Sequence, residues 1–316
     1  MSVLQLDGVL VVDKPEGPTS FDVVRRVRAL GSGRKAGHTG TLDPMATGVL
    51  PVCLGDATKI ASFLTEGDKA YEGVVRLGAS TDTYDATGHV LETRPIAGLS
   101  EADVRRAVEA MRGEYWQTPP MYSAVKVGGR RLYELARKGE EVERKPRKVN
   151  LLAIELRSWD PATGDAAIYV HCSKGTYVRS IAHELGEALG VGGHLVALRR
   201  VRSGPFTLAQ AVPLSLVLEL AAQGGAEELA RRVVPMGAAL AELAELRLDE
   251  ARAQKVAFGR VLGARDVAEA GPRPAEGARV RITGPDGRLL AVAEQRDGGL
   301  RYLRVLVTPA DLPNGR

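Results

Sequence analysis

The segment AAIYVHCSKGTYVRSIAHELGEAL, residues 166–189, joins two different periodicities. In its first part, residues 166–172, apolar and polar side chains alternate, which predicts a strand with one buried face. Lys174-Gly175 then turns the chain. From Val178 to Leu189, apolar side chains recur every three or four residues, which predicts a helix with one buried face. The segment therefore predicts a strand, a tight turn and a helix in direct succession.

Similar patterns predict further elements on both sides of this segment. Apolar, β-branched runs predict strands at Gly8–Asp13, Val49–Leu54, Tyr71–Leu77 and Leu151–Leu156. Two helices are predicted by a capping pair, an apolar stripe and a terminating glycine: Thr19 and Asp22 with Gly31, and Ser100 and Asp103 with Gly113. Because strands and helices do not alternate regularly, the pattern favours an α+β fold around a mixed or antiparallel sheet.

The composition changes in the last third of the chain. Residues 213–252 are rich in Ala, Leu and Glu, which indicates helical structure. Beyond them, Gly and Pro separate short runs with strand character: Arg279–Thr283, Leu289–Glu294 and Tyr302–Val307. We therefore expect a large domain at residues 1–245 and a small β-rich domain at residues 246–316.

Composition limits the classes of protein to which this chain can belong. Its 316 residues are 44% hydrophobic, enough for a full core, and its net charge of +4 suits a polyanionic partner. The two cysteines, Cys53 and Cys172, lack CxxC spacing, so neither a disulfide framework nor a zinc site is expected. No signal peptide and no membrane span are recognisable. A cytoplasmic protein that is monomeric and binds no membrane is the simplest expectation.

The segment GHTGTLDPMATGVLPVCLGDATK, residues 37–59, is the most promising place for chemistry. Its four glycines and two prolines exclude a long helix and indicate an ordered loop that leads into a strand. Asp43 lies on this loop, directly before Pro44. Taken alone, that pair fits a helix N-cap or a turn better than a catalytic carboxylate. His38 has no second His or Cys at ligand spacing, so it does not indicate a metal site.

Residues 119–148 form a basic segment. It contains nine Lys and Arg against four Glu. Such a run is usually a solvated surface. Here Tyr122 and Tyr133 are interleaved with the cations, which suits RNA, since its bases stack and its phosphates need counter-charge. The cations expected to contact RNA are Lys126, Arg130 and Arg131.

Six stretches of the sequence, in register, resemble the TruB family of tRNA pseudouridine synthases. They are GVLVVDKPEGPTS (8–20), GHTGTLDPMATGVLPVCLG (37–55), DKAYEGVVRLG (68–78), TPPMYSAVKVGGRRLYELARKG (118–139), HCSKGTYVRSIAHELG (171–186) and HLVALRRVRSG (194–204). The resemblance covers nearly the whole chain, and six motifs in order are far more specific than one. From about residue 246 the chain resembles the family's small PUA domain more weakly, and residues 213–246 match none of its motifs.

The resemblance implies roles for the residues at matching positions. The family's catalytic aspartate corresponds to Asp43, its active-site tyrosine to Tyr71, and the arginine that pairs with the aspartate to Arg179. Further positions of the substrate site match Lys14 and Pro15, which support the site, His38, which contacts the T-loop, Tyr177 beside the arginine, and Leu198, which lines the uracil pocket.

The implied reaction isomerises uridine 55 of the tRNA T-loop to pseudouridine without a cofactor. The base must first be flipped out of the folded loop, which costs a few kcal/mol. A carboxylate can then attack C1′ or the pyrimidine ring, or stabilise a glycal-forming path. From the sequence, all three routes stay open.

Two other functions remain open at this stage. A relative that works with a guide RNA and partner proteins would carry the same core motifs, although the basic segment favours a protein that grips tRNA by itself. A non-catalytic tRNA-binding or tRNA-folding protein is the second alternative, which the complete set of Asp43, Tyr71 and Arg179 disfavours. No helix-turn-helix or zinc-finger pattern indicates a DNA partner.

Overall fold

The computed structural model of the protein describes residues 7–30, 35–123, 125–136, 139–140 and 142–312. The expected end of the first helix at Gly31 lies outside these ranges. The strands are β1 (Gly8–Lys14), β2 (Ala36–His38), β3 (Thr47–Leu54), β4 (Lys69–Leu77), β5 (Ala79–Thr81), β6 (Val90–Thr93), β7 (Gly113–Gln117), β8 (Lys126–Val127), β9 (Arg130–Arg131), β10 (Arg147–Asp160), β11 (Asp165–Cys172), β12 (Gly193–Ser203), β13 (Phe206–Thr207), β14 (Val212–Pro213), β15 (Val233–Val234), β16 (Ala244–Arg247), β17 (Arg279–Thr283), β18 (Leu289–Arg296) and β19 (Gly299–Val305). The helices are α1 (Ser20–Leu30), α2 (Ala61–Thr65), α3 (Glu101–Ala110), α4 (Leu132–Ala136), α5 (Val178–Ala188), α6 (Leu214–Ala222), α7 (Ala226–Arg231), α8 (Met236–Ala239), α9 (Glu250–Ala257) and α10 (Ala264–Ala270).

One large mixed sheet organises the fold. Within the described ranges its strand order is β14-β1-β3-β12-β4-β11-β10-β7, while β2, β13 and β15 pair with β3, β12 and β1. Most neighbours are antiparallel, but β1 with β14 and β3 with β12 are parallel. A smaller sheet near the C-terminus has the order β16-β17-β18-β19. The predicted α+β fold, with a mixed sheet and a small β-rich C-terminal part, is confirmed.

The elements with unbroken apolar periodicity were predicted correctly. From Asp165 to Cys172, successive residues of β11 are alternately half-buried and buried. The predicted inward positions of α5 are all buried, namely Val178, Ile181, Ala182 and Leu185. Before α3, Ser100 and Asp103 form a reciprocal capping pair, as their spacing predicted. These patterns depend only on neighbours along the chain, so the sequence carries them directly.

Elements without such periodicity were missed or only partly predicted. The strand β12 lies between β3 and β4, but Arg199, Arg200 and Arg202 interrupt its apolar pattern. The strand β7, at the edge of the sheet, was missed too. Residues 213–252 are only partly helical, because turns and the strand β15 separate the short helices α6, α7 and α8, and the strand β16 follows α8.

Apolar residues pack against both faces of the large sheet. On one face, residues of α1, α3, α5 and α6 join the main core cluster. On the other face, Val9 of β1 and Val49 of β3 pack against Leu289 and Val292 of β18. The small sheet also has a core of its own. Apolar burial therefore joins the two sheets. In the described part of the chain, no helix is long and apolar enough to cross a membrane.

The strands β3 and β12 approach each other closely at Gly48. Its φ of +100° lies in the left-handed region, and a Cβ there would be 2.2 Å from the carbonyl oxygen of Arg200. In the sheet register, Gly48 faces Arg200 on one side and Lys14 on the other. A side chain at this position would push apart strands that hold the loop between β2 and β3.

Gly48→Ala is expected to lower the free energy of unfolding by roughly 2–4 kcal/mol, because the new Cβ meets backbone atoms and the left-handed φ is also unfavourable for alanine. Gly98→Ala is the matched control, since Gly98 has a φ of +94° and nothing within 4 Å of the added Cβ. That control should cost roughly 1–2 kcal/mol. Urea unfolding measures both variants, and equal losses would contradict the steric explanation.

Candidate active site

Asp43 lies in a turn of the loop between β2 and β3. The Ala46 N–H donates to the Asp43 carbonyl oxygen at 3.0 Å, and the Gly17 N–H donates to the Pro44 carbonyl oxygen at 2.9 Å. The side chain of Asp43 caps no helix, and 36% of it is exposed. The turn that the Asp43-Pro44 pair indicated is therefore present, while the carboxylate points to a different partner.

Lys14, at the end of β1, binds the backbone of this loop. Its side chain is wholly buried, and its Nζ donates to the carbonyl oxygens of Pro15, Pro44 and Ala46 at 2.9, 3.2 and 2.6 Å. Burial lowers the pKa of Lys14 to about 8, an effect that the Asp43 carboxylate partly opposes. Pro15 itself is exposed. The contacts of Lys14 are thus those of a residue that supports the loop.

Arg200, from β12, also binds the backbone of this loop. Only 1% of this residue is exposed. Its Nε donates to the Val49 carbonyl oxygen at 2.7 Å, and its guanidinium also donates to the carbonyl oxygens of Gly40 and Thr41 at 3.1 and 3.4 Å. No role was predicted for Arg200 from the sequence. The available signal was the placing of Arg199, Arg200 and Arg202 within an otherwise apolar run, since an arginine buried there must be satisfied by acceptors.

The guanidinium of Arg179 contacts the Asp43 carboxylate. Arg179 lies in the first turn of α5, 5% of its side chain is exposed, and its Nε is 2.9 Å from Oδ2 of Asp43. That N–H is not aligned for a hydrogen bond, so the contact is mainly a charge attraction. Its terminal nitrogens donate to the carbonyl oxygens of Thr83 at 3.1 Å and Tyr122 at 2.8 Å. The guanidinium is therefore fixed from its buried side and faces a carboxylate that a substrate can reach.

A second carboxylate, that of Asp85, also contacts Arg179 and was missed in the sequence. Its Oδ2 is 3.4 Å from the arginine, and only 6% of its side chain is exposed. Its Oδ1 accepts hydrogen bonds from the hydroxyls of Thr83 and Thr87, at 2.8 and 2.6 Å. The signal that could have revealed it is the polar run TDTYDATG at residues 81–88, which is unusual directly after a buried strand.

Tyr71 of β4 and Leu198 of β12 lie in the same apolar cluster beside this pair. Each is 9% exposed, and β4 and β12 are adjacent antiparallel strands. Burial raises the pKa of Tyr71 to about 12, so its phenol stays protonated at neutral pH. A neutral phenol can stack on a base and pass on a proton, but it does not act as a phenolate base.

Two further predicted residues, Tyr177 and His38, lie half-buried near this site. Tyr177 is the N-cap of α5, and burial raises its pKa. His38 ends β2, and its Nδ1 accepts a hydrogen bond from the Gly40 N–H at 3.3 Å. Burial lowers the pKa of His38, which keeps the imidazole neutral at pH 7. A neutral ring can stack on bases without adding charge.

The basic segment leaves the large sheet after β7 and returns at Arg147, the first residue of β10. It contains the β8–β9 hairpin and the short helix α4. The Arg130 side chain is 62% exposed and lies 3.7 Å from Glu140. The side chains of Lys126 and Arg131 lie outside the described part, so the structure locates one of the three predicted RNA contacts.

Two family sequence models match the chain. One, described as the N-terminal domain of the TruB family of pseudouridylate synthases, matches residues 28–178. The other, described as the C-terminal domain of tRNA pseudouridylate synthase B, matches residues 179–241. The second match includes most of residues 213–246, which none of the recognised motifs covered. That segment therefore belongs to the family's own sequence and is not an unrelated linker.

Proteins of known name resemble the chain over almost its whole length. The tRNA pseudouridine synthase B of Burkholderia mallei is 48% identical over 96% of this chain and 98% of that protein. The protein of the same name from Saccharophagus degradans is 44% identical, and that from Pseudomonas aeruginosa 42%, each over 93% of both chains.

Solved structures agree with these matches. A chain in the crystal structure of a Cbf5–Nop10–Gar1 complex has a TM-score of 0.75 and 28% identity, covering 95% of this chain and 85% of its own length. A chain in the archaeal box H/ACA sRNP Nop10–Cbf5 complex has a TM-score of 0.72 and 26% identity, with coverages of 95% and 86%. Given its matched sequence, its fold and its relatives, this chain belongs to the TruB family of pseudouridine synthases.

Proposed function

We propose that this protein isomerises uridine 55 in the T-loop of tRNA to pseudouridine, with Asp43 as its catalytic carboxylate and without a cofactor. Relatives named tRNA pseudouridine synthase B match 93–96% of the chain, which supports tRNA as the substrate. The observation that carries the catalytic role is the partly exposed Asp43 carboxylate, 2.9 Å from the buried guanidinium of Arg179.

The reaction moves one bond on the same ribose. The N1–C1′ bond breaks, a C5–C1′ bond forms, the proton on C5 leaves, and N1 gains a proton. No electrons are exchanged with a second molecule. A carboxylate at the junction of base and sugar can bond to carbon or stabilise the positive charge that develops there. Arg179 orients the Asp43 carboxylate and balances its charge.

The residues around the pair have supporting roles in this proposal. The ring of Tyr71 stacks on the uracil, and its protonated hydroxyl relays the proton from C5 to solvent or to N1. Leu198 supplies an apolar wall that excludes water, so that the separated base and sugar recombine before hydrolysis. The burial of both side chains supports these roles.

The target base must leave the folded T-loop before it can reach Asp43. Extruding a base costs a few kcal/mol, which stacking and a replacement side chain offset. We assign the replacement to His38, because its half-buried, neutral imidazole lies at the end of β2, directly before the loop that carries Asp43. Tyr177 at the start of α5 offers a second ring for stacking near the site.

A guide-RNA-dependent synthase is the second candidate. The similar solved structures come from complexes named for Nop10, Gar1 and box H/ACA components. Identity to those chains is 26–28%, whereas identity to proteins named tRNA pseudouridine synthase B is 42–48%. The higher identity and the basic segment favour an enzyme that recognises tRNA by itself.

We further assign residues 1–245 to the catalytic domain and residues 246–316 to a PUA-like RNA-binding domain. The separate core of the small sheet supports two units, and the strand β16 (Ala244–Arg247) of that sheet spans the boundary between them. Phe258 and Val261 are 62% and 71% exposed, and the guanidinium of Arg260 lies 5.7 Å from the Phe258 ring. An exposed ring beside a cation suits unpaired bases and phosphates.

Asp43→Asn is expected to remove detectable pseudouridine formation while tRNA affinity stays within about tenfold, because the change removes a reactive group but little contact surface. The measurement is conversion of T-loop uridine in an unmodified tRNA transcript, with purified protein in EDTA. Asp56→Asn, which removes an exposed carboxylate paired with Lys59, is the control and should remain active. Turnover by the Asp43 variant would refute the assignment.

Replacing Lys126, Arg130 and Arg131 together by Gln should weaken tRNA binding and flatten its salt dependence. The slope of log Kd against log salt should fall by about one for each phosphate that the variant no longer neutralises. The control variant replaces Arg106, Arg112 and Arg231 and so removes the same charge elsewhere on the surface. Arg106 is exposed on α3, Arg112 just after α3, and Arg231 on α7. If both triple variants change the slope equally, net charge explains the effect and the basic segment is not the tRNA-binding surface.

Replacing Arg260, Arg265 and Arg301 by Gln tests the small domain without exposing the apolar surface that joins it to the large sheet. We expect tRNA affinity to fall severalfold, with the rate of pseudouridine formation on fully bound tRNA unchanged. Filter binding and single-turnover kinetics separate the two quantities. A loss of rate on bound tRNA would show that the small domain takes part in the chemistry.

A further inference from the structure

The amide of Gln117 joins the end of β7 to the start of α5. Gln117 is 1% exposed. Its Oε1 accepts from the Tyr177 N–H at 2.7 Å, while its Nε2 donates to the Tyr177 carbonyl oxygen at 3.1 Å and to the Tyr115 hydroxyl oxygen at 2.7 Å. Both hydrogens of the amide nitrogen are used, and the Tyr177 N–H can only donate, so the amide has one possible orientation.

The helix α5 depends on this contact because it has no capping side chain of its own. Tyr177 occupies the N-cap position and accepts no capping hydrogen bond through its side chain. The first turn of a helix leaves N–H groups without partners inside the helix. Gln117 holds the N-cap backbone from outside, and Arg179 lies only two residues further along the same turn. The carbonyl oxygens of Thr83 and Tyr122 hold the Arg179 guanidinium, and Gln117 holds the backbone of the turn that carries it.

The basic segment begins at the same place. Gln117 is the last residue of β7, and Thr118 directly follows it. The Ser180 hydroxyl donates to the Thr118 carbonyl oxygen at 3.1 Å, and Arg179 donates to the Tyr122 carbonyl oxygen at 2.8 Å. Thr118, directly before the basic segment, and Tyr122 within it are thus hydrogen-bonded to the first turn of α5.

We propose that Gln117 is a positioning residue. It fixes the start of α5, and with it the Arg179 guanidinium beside Asp43, when RNA is bound to the basic segment. The inference rests on the proposed function, since it concerns the rate of the same isomerisation. Gln117 touches no reacting atom and acts through the backbone of Tyr177. A misplacement of about 1 Å in a catalytic group can cost on the order of 100-fold in rate.

Gln117→Met tests this role, because methionine has a similar length but cannot replace the three hydrogen bonds. With enzyme in excess over tRNA, the rate of pseudouridine formation on bound tRNA should fall at least about tenfold, while Kd for tRNA stays within about threefold. Gln295→Met is the matched control. Gln295 is also 1% exposed, lies in β18, and its amide has no hydrogen-bond partner among the described residues. Its variant should keep the wild-type rate on bound tRNA.

Circular dichroism and thermal unfolding show whether each variant is folded. If Gln117→Met does not fold, Gln117→Asn replaces it, because asparagine keeps the amide but is one methylene too short to span the same distance; the same loss of rate is expected. An unchanged rate on bound tRNA, whatever happens to Kd or to thermal stability, overturns the positioning role. Absence of product with wild-type protein would refute the proposed function itself, and the inference with it.

Discussion

The loop that carries Asp43 needs hydrogen-bond donors from outside itself. Between β2 and β3 the backbone leaves the sheet after the Thr39 N–H, which donates to the Pro51 carbonyl oxygen at 3.2 Å. The rest of the loop lies against buried residues, where a carbonyl oxygen without a partner is costly. Lys14 and Arg200 supply those donors from two different strands, and both are almost completely buried. Each cation in turn needs the carbonyl dipoles, since an unpaired buried charge costs several kcal/mol. Loop, β1 and β12 therefore form one mutually dependent unit.

The charges around Arg179 divide into one that is enclosed and one that is accessible. Asp85 is 6% exposed, and its Oδ1 accepts hydrogen bonds from two threonine hydroxyls and from the Thr87 N–H. Asp43 contacts the same guanidinium but leaves 36% of its side chain exposed. Both acids contact one guanidinium, and the exposed acid is the one available to an electron-poor sugar carbon. Burial, more than residue type, separates the two roles.

Local sequence predicted the elements whose packing follows from their own periodicity, such as β11 and α5. It failed for β12, because Arg200 interrupts the apolar pattern and is explained only by carbonyl groups of a loop far away in the chain. For Asp43, the turn was correctly predicted, since a turn depends on adjacent residues. The catalytic role proposed for Asp43 came from family resemblance, because the contact with Arg179 is not encoded near either residue. Asp85 was missed for the same reason.

The position of β12 in the sheet has a consequence for synthesis on the ribosome. The strands β3 and β4 are close in sequence, but they are not neighbours, because β12 (residues 193–203) lies between them. A nascent chain that has emerged as far as α5 can pair β1 with β3, β4 with β11, and β11 with β10, yet these two halves lack the strand that joins them. Since distant pairings form slowly, this joining strand comes late in folding. A chain arrested before residue 193 would contain Asp43, Tyr71 and Arg179 and still have no assembled centre.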